Sequence, residues 1–248
     1  MLFSLLTRAA ARVTRAALPS QCEVCRSWAG AALCAACVAR FAAPRPRCAR
    51  CGLGLGVAPS TAPSTVSPAC GACLREPPPF ERTVCVADYG FPWDRLIADF
   101  KFHGRAELAG VLAAQMTAAV RAAGAALPDT VLPVPLSTQR LAERGYNQAW
   151  ELARRVAGAL ALPASARLLL RPLDAAHQIE LGRAERQRNL RSAFMVDPAQ
   201  RAAVQGRRVA LVDDVMTTGA TAHAAAETLL RAGAEAVDVW VLARTPEH

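Results

Sequence analysis

The run Val209-Ala-Leu-Val-Asp-Asp-Val-Met-Thr-Thr-Gly-Ala-Thr221 decides the fold. Its apolar start, Val209–Val212, reads as a strand buried on both faces. The strand meets two carboxylates, Asp213 and Asp214, and the turn Thr217-Thr218-Gly219-Ala220-Thr221 then opens a helix. In open α/β sheets ligands bind beyond the carboxyl ends of the strands. A helix N-terminus offers unpaired N–H groups and the positive end of a dipole. Gly219 lets the backbone approach a ligand closely, and the threonine hydroxyls add donors. These parts make a cradle for a phosphate monoester. The neighbouring acids would repel a bare phosphate, but they can accept hydrogen bonds from a vicinal diol such as that of ribose. Together the two halves describe a reader of ribose 5-phosphate. No Gly-Lys-Ser/Thr follows, which excludes a Walker-type loop. A plain strand–turn–helix with an acidic edge, or a receiver-type acidic pair, would not need Thr-Thr-Gly-Ala-Thr.

Working outward, strand and helix patterns alternate over residues 81–248. Val84–Tyr89, Thr130–Pro133, Leu168–Leu170, Arg208–Val212 and Val237–Leu242 read as strands. Arg105–Ala123, Ala149–Leu160 and Thr221–Ala232 read as helices. Alternation of this kind predicts an α/β domain, a mainly parallel sheet flanked by helices on both faces. Asp174–Arg191 is polar and weakly periodic and reads as a loop.

Ahead of this domain stand eight of the nine cysteines, in four Cys-x-x-Cys pairs: Cys22/Cys25, Cys34/Cys37, Cys48/Cys51 and Cys70/Cys73. Two intervening residues let both sulfurs reach one tetrahedral ion. Disulfides would need an oxidising compartment, and a redox motif needs one pair rather than four. The reading is a double zinc ribbon over residues 19–76. Eighteen residues separate Cys51 from Cys70, and eight separate Cys25 from Cys34. We expect sequential sites, Cys22, Cys25, Cys34 and Cys37, then Cys48, Cys51, Cys70 and Cys73; a crossed arrangement is the alternative. Pro44–Pro46 separates the two ribbons, Ala58–Pro68 reads as an exposed loop, and Pro77–Pro79 as the linker to the α/β domain. Gly52–Gly56 follows a cysteine rather than a strand and opens no helix, which removes a dinucleotide reading. Cys85, the ninth, reads as a buried thiol in a strand.

The chain has 248 residues, 53% of them apolar and 20% charged, enough for a sizeable core and too apolar for general disorder. Of 29 basic residues only Lys101 is a lysine. Residues 1–80 carry nine arginines and two glutamates. Each tetrathiolate zinc carries a formal −2, which cancels much of that excess and leaves too little to assign nucleic-acid binding from charge. Residues 1–18 read as an amphipathic helix with Arg8, Arg12 and Arg15 on one face. It packs on its own protein, or else meets a partner or a membrane surface. The apolar run there is short and interrupted by arginine, against a secretory signal. No window is apolar enough to span a membrane, and the expected location is cytoplasmic. His103, His177, His223 and His248 form no metal-binding spacing.

Residues 209–221 resemble the phosphoribosyl-pyrophosphate motif of type I phosphoribosyltransferases. With the cysteine pairs ahead of it, the chain is similar to the ComF family, which takes in ComFC-type and GntX-like proteins. Lys101-Phe102, Val134-Pro135, Arg144-Gly145-Tyr146-Asn147-Gln148 and the stretch from Gln178 to Phe194 share in the resemblance. It implies that Asp213 and Asp214 hold the ribose hydroxyls and that Thr217, Thr218, Gly219, Ala220 and Thr221 hold the 5-phosphate. Val134 and Pro135, with Leu136 and Ser137, would form the pyrophosphate loop, aided by Arg140 or Arg144. Asp174–Arg191 would close over the reacting centre, with Arg183 and Arg186 as catalytic residues facing the diphosphate. Mg²⁺ would bridge diphosphate and ribose oxygens.

Two functions follow from the resemblance. One is a phosphoribosyltransferase acting on an unidentified acceptor. The other is a non-catalytic factor for DNA uptake in natural transformation, which binds phosphoribosyl pyrophosphate, single-stranded DNA or a DNA-uptake helicase. A zinc-stabilised adaptor with a vestigial site is a third, plainer reading. Few aromatics are present, and Tyr89 and Tyr146 are the only tyrosines; this weakens both a base-salvage site and a base-stacking groove.

Overall fold

The computed structural model describes residues 20–56, 68–172 and 193–246. The chain divides into two compact units, residues 1–43 and 44–248. In the first, β1 (Ser20–Gln21) pairs antiparallel with β2 (Trp28–Ala29), and α1 (Ala35–Phe41) follows.

The second unit opens with a turn around Cys48–Gly52 and a short helix, α2 (Gly71–Arg75). Then come β3 (Arg82–Asp88), α3 (Trp93–Phe102), α4 (Leu108–Ala122), β4 (Thr130–Pro133), α5 (Thr138–Arg144) and α6 (Gln148–Leu160). The chain continues through β5 (Leu169–Leu170), β6 (Met195–Val196), a 3-10 turn at Pro198–Ala203, β7 (Arg208–Met216), α7 (Ala220–Arg231) and β8 (Ala236–Arg244). Four strands form one sheet in the order β3-β8-β7-β4, and every pairing in it is parallel.

β8 shows why the sheet must be covered on both sides. All nine of its residues are buried, so neither face can meet water. Val237, Val239 and Val241 pack with Val209 and Leu211 against the small face of α7, where Ala222, Ala225, Ala226 and Leu229 lie. The alternate residues of β7 and β8 face the other way, where α4 and α6 contact the sheet. α4 buries Leu108, Leu112, Met116 and Val120, a stripe at the helical period. α6 buries Leu152 and Val156 and begins at Asn147, whose Oδ1 accepts from the N–H groups of Ala149 (2.9 Å) and Trp150 (3.3 Å).

The α/β pattern stands, with local differences. α3 was not expected. It buries Trp93, Leu96, Ile97 and Phe100 at helical spacing and precedes the expected helix Arg105–Ala123, which is α4. α5 forms where a loop was expected, capped by Ser137 Oγ on the Arg140 N–H (3.3 Å) and ended by Gly145 at φ +77°. β7 runs past Val212 to Met216 and carries both acids on the strand. β5 does not join the sheet; it pairs antiparallel with β6. The expected N-terminal helix, residues 58–67 of the expected loop, and Asp174–Arg191 with Arg183 and Arg186 lie outside the described residues. So does His177.

Candidate functional site

β4 and β7 are neighbours, but the chain leaves their carboxyl ends toward opposite faces. β4 leads through α5 to α6 on one side, and β7 leads to α7 on the other. A crevice opens at such a point. Val134 N–H donates to Val212 O (2.8 Å), which holds the loop after β4 against β7. Asn147 Nδ2 donates to Val134 O (3.2 Å), so the residue that caps α6 also fixes the loop that leads into α5. Pro135 is half-buried at the start of that loop.

Adjacent strand positions send side chains to opposite faces. Asp214 lies on the side of α3, where Lys101 Nζ sits 2.8 Å from its Oδ1. Its Oδ1 also accepts from the Val215 N–H (2.7 Å), whereas its Oδ2 is buried without a hydrogen-bond partner among the described residues. Asp213 is half-buried, and its Oδ1 takes the Asp214 N–H (2.9 Å). Burial pushes the Asp213 carboxyl up to about 8, and the Asp214 charge pushes the same way; Lys101 pulls against both. The pair is therefore unequal: one carboxylate salt-bridged with an oxygen to spare, the other holding its proton near neutral pH.

The turn after β7 has Thr217 and Thr218 exposed. Gly219 stands at φ +82° as the N-cap of α7, and Thr218 Oγ1 accepts from the Ala220 N–H (3.3 Å). Thr221 lies half-buried in the first turn of α7. Arg244, at the end of β8, runs beneath this turn and is 5% exposed. Its guanidinium donates to Met216 O (3.4 Å), Thr217 O and Thr245 O (2.7 Å).

The two arginines assigned to the pyrophosphate loop differ. Arg140 is exposed in the first turn of α5. Arg144 stacks on Phe102, its guanidinium carbon 4.9 Å from the ring centre. Tyr146 follows Arg144 and Gly145, and its hydroxyl donates to Phe100 O, tying the end of α3 to the segment between α5 and α6. The crevice thus gathers Asp213, Asp214, the 217–221 turn and the 134–137 loop, with Lys101 added. Sequence reading gave Lys101 no role, although its being the sole lysine was a signal. Arg244 was missed because an arginine ending a strand looks ordinary. A separate concavity of about 520 Å³, lined in part by Arg50, Glu81 and Arg82, lies at the other end of β3 and is no part of the crevice.

The cysteines gather in chain order. Cys22, Cys25, Cys34 and Cys37 form one group, Cys48, Cys51, Cys70 and Cys73 the other, the sulfurs in each within 4.8 Å of one another. None is in a disulfide. Cys25 and Cys34 Sγ are 3.7 Å apart, as are Cys51 and Cys70. A tetrahedron with 2.3 Å metal–sulfur bonds has an edge of about 3.8 Å. Backbone N–H groups point at the sulfurs: Cys34 to Cys22, Cys37 to Cys34 and Cys51 to Cys48, at 3.4, 3.4 and 3.5 Å. Burial raises the Cys22 thiol, but N–H groups of Cys34, Cys25 and Val24 outweigh it and bring the thiol to about 6. Burial and neighbouring thiols push Cys37 up to about 12. Likewise Cys48 is lowered to about 7, its burial offset by the N–H groups of Cys51, Cys70 and Arg50, while burial lifts Cys51 to about 11. Four such thiols cannot all ionise side by side without a cation, and a bound divalent metal removes that conflict. Both groups can hold a metal.

Comparison with known proteins agrees with this geometry. The phosphoribosyl transferase domain family matches residues 158–248, which contain β7, the acid pair, the phosphate turn and β8. The DNA utilization protein YhgH of Escherichia coli K12 is 36% identical over 239 residues, covering 92% of this chain and 98% of that one. Competence protein F of Haemophilus influenzae is 36% identical over 71% of this chain and 78% of its own. Competence protein ComFC of Bacillus subtilis is 31% identical over 60% of this chain and 58% of its own. The likeness to competence protein F covers more than two thirds of both proteins, that to YhgH nearly the whole of both, and on these grounds this chain belongs to the ComF family.

Proposed function

We propose that the crevice binds 5-phosphoribosyl 1-diphosphate, and that two zinc ions occupy the cysteine groups. One observation carries the ligand reading: the buried, unpartnered Oδ2 of Asp214 beside a glycine-containing helix N-terminus. A buried carboxylate oxygen without a donor costs free energy, and a sugar hydroxyl supplies the donor. Asp214 then accepts from the ribose diol, with Asp213 as the second acceptor once its proton leaves. The N–H groups and hydroxyls of Thr217–Thr221 receive the 5-phosphate. Lys101, 2.8 Å from Asp214 Oδ1, lowers the negative charge that the ligand meets. Val134–Ser137 borders the diphosphate, with Arg144 held ready on Phe102. Mg²⁺ is expected to arrive with the diphosphate and to neutralise it, bound by ligand and water oxygens.

If the chain is a transferase, pyrophosphate leaves C1 as an acceptor attacks. Cations are then needed around the leaving group, and water must be kept from the sugar. Arg183, Arg186 and the 174–191 segment are the residues proposed for that work. The names of the relatives, DNA utilization and competence, support a second reading in which the same site serves DNA handling without turnover. Single-stranded DNA or a DNA-uptake helicase is then the expected partner. Pyrophosphate release, screened with bases, amines and nucleic acids as acceptors, separates the two. Release that depends on an acceptor and disappears in Asp214→Asn supports the transferase. Ligand binding with silence from every acceptor supports the binding factor.

A further inference from the structure

The turn that carries Cys48 and Cys51 is fixed to the sheet through its carbonyls. Ala49 O accepts from Thr83 N–H (2.9 Å) and Arg50 O from Thr83 Oγ1 (2.6 Å). Cys51 O accepts from Arg244 Nε (3.1 Å) and Gly52 O from Arg47 Nη1 (3.1 Å). Gly52 sits at φ +71°, and a Cβ there would come within 3.0 Å of Thr83 Cγ2. Arg47 continues to Asp88 at the end of β3 (2.7 Å). Arg244 is the one of these groups that also touches the crevice. The edge of its guanidinium that bears Nε faces the cysteine turn, and Nη1 faces the carbonyls of Met216 and Thr217.

Arg244 is nearly buried, and no carboxylate lies within ion-pair distance of it among the described residues. A buried cation needs a counter-charge. A tetrathiolate site holding a divalent metal carries a formal −2, and Arg244 bonds directly to the carbonyl of one of its cysteines. On the other side, a guanidinium that draws the carbonyls of Met216 and Thr217 downward leaves the N–H groups of the turn facing the crevice. It also places positive charge under the position proposed for the 5-phosphate.

We propose that Arg244 is a positioning residue that couples metal in the second cysteine group to the phosphate turn: with Cys48, Cys51, Cys70 and Cys73 loaded, the Cys51 carbonyl holds the guanidinium where it orders Thr217–Thr221. This rests on the phosphoribosyl reading of the crevice and extends it, because the second metal centre becomes part of the ligand site. Coupling is reciprocal: phosphate ester in the crevice must tighten the metal, and metal must tighten the ester.

The test uses the full-length protein loaded with zinc. Release of zinc to a chromogenic chelator is followed with and without ribose 5-phosphate. The slower-releasing metal is assigned to its site with a Cys34→Ser variant, which leaves only the second group intact. Ribose 5-phosphate should slow release from the second group by about tenfold, within the usual range for coupled sites. Release from the first group, followed in the parent as the phase that Cys34→Ser lacks, should not change. Arg244→Lys keeps a charge but loses the fork; it should bind ribose 5-phosphate about tenfold more weakly and lose the protection of the metal. Zinc release from the parent needs no substitution, so a variant that fails to fold leaves the test standing. Binding of ribose 5-phosphate by the parent, with release from the second group unaffected by it, overturns the coupling alone. No binding of ribose 5-phosphate or of the diphosphate by the loaded parent overturns the reading of the crevice on which the coupling rests.

Discussion

Lys101 and Asp214, 113 positions apart in the chain, form an ion pair of 2.8 Å at the mouth of the crevice, where Asp214 is only 4% exposed. The sole lysine of the protein lies against the acid that has an oxygen left for a ligand. Arginine would reach as a planar fork; the ammonium is a compact charge on a flexible stem and can turn from a carboxylate toward a phosphate. The pair also sets the two acids apart, because Lys101 salt-bridges Asp214 while burial pushes the Asp213 carboxyl up to about 8.

Removing one partner of this pair should cost more than removing both. Lys101→Met leaves a buried carboxylate without its cation, a loss on the order of 3 kcal/mol for a pair of this burial. The double variant Lys101→Met with Asp214→Asn should recover most of it. Urea unfolding of the parent, both single variants and the double variant closes the cycle, and additive losses would deny that the two residues interact.

Asp213 makes stability depend on pH. In the unfolded chain its carboxyl ionises near 4, and in the folded protein it holds its proton to about pH 8. The folded state therefore binds an extra proton between those values. Its contribution is full below pH 4 and is lost as pH rises toward 8. Asp213→Asn removes this loss, so its melting temperature relative to the parent should climb from pH 5 to pH 8 and level off above. A constant difference across that range contradicts the burial and charge assigned to Asp213.

Gly219 should be costly to replace for conformational reasons alone. At φ +82° a Cβ would meet nothing nearer than Met216 Sδ at 3.7 Å, which is ordinary contact. Gly219→Ala should therefore lower stability by about 1–2 kcal/mol. It should also weaken ribose 5-phosphate binding, because the strained turn will relax away from the geometry that presents its N–H groups. Unchanged stability would mean that the turn has another conformation in solution.

The two cysteine groups should answer differently to metal removal. Elemental analysis of protein purified under reducing conditions should give two zinc ions per chain. Hydrogen exchange after chelation should expose the Thr83 amide, which donates to Ala49 O, because the second group is fixed to β3. Protection of Thr83 that survives chelation contradicts that attachment.

Much of this was legible in the sequence. Val209–Thr221 gave strand, acids, turn and helix in order, because a buried parallel strand reads as an apolar run and a phosphate turn needs glycine. The cysteine spacing led to the two groups that the folded chain assembles. α3 was readable too: Trp93, Leu96, Ile97 and Phe100 recur at helical spacing. It was overlooked because the helix is short and lies beside a strand. What could not be read was the attachment of the second cysteine group to the sheet. It depends on backbone carbonyls at 49–52, which any residue supplies, and on Arg244, almost 200 positions away. The unequal state of Asp213 and Asp214 was hidden for a similar reason, since it is set by burial and by a lysine from another element.

The most direct measurement is calorimetric titration of the full-length, zinc-loaded protein with 5-phosphoribosyl 1-diphosphate in the presence of Mg²⁺, repeated with Asp214→Asn. The parent should bind one equivalent. The variant should bind at least tenfold more weakly, as expected for loss of a charged acceptor worth about 1.5–3 kcal/mol. No saturable binding by the parent, or equal affinity in the two proteins, would contradict the assignment of the crevice.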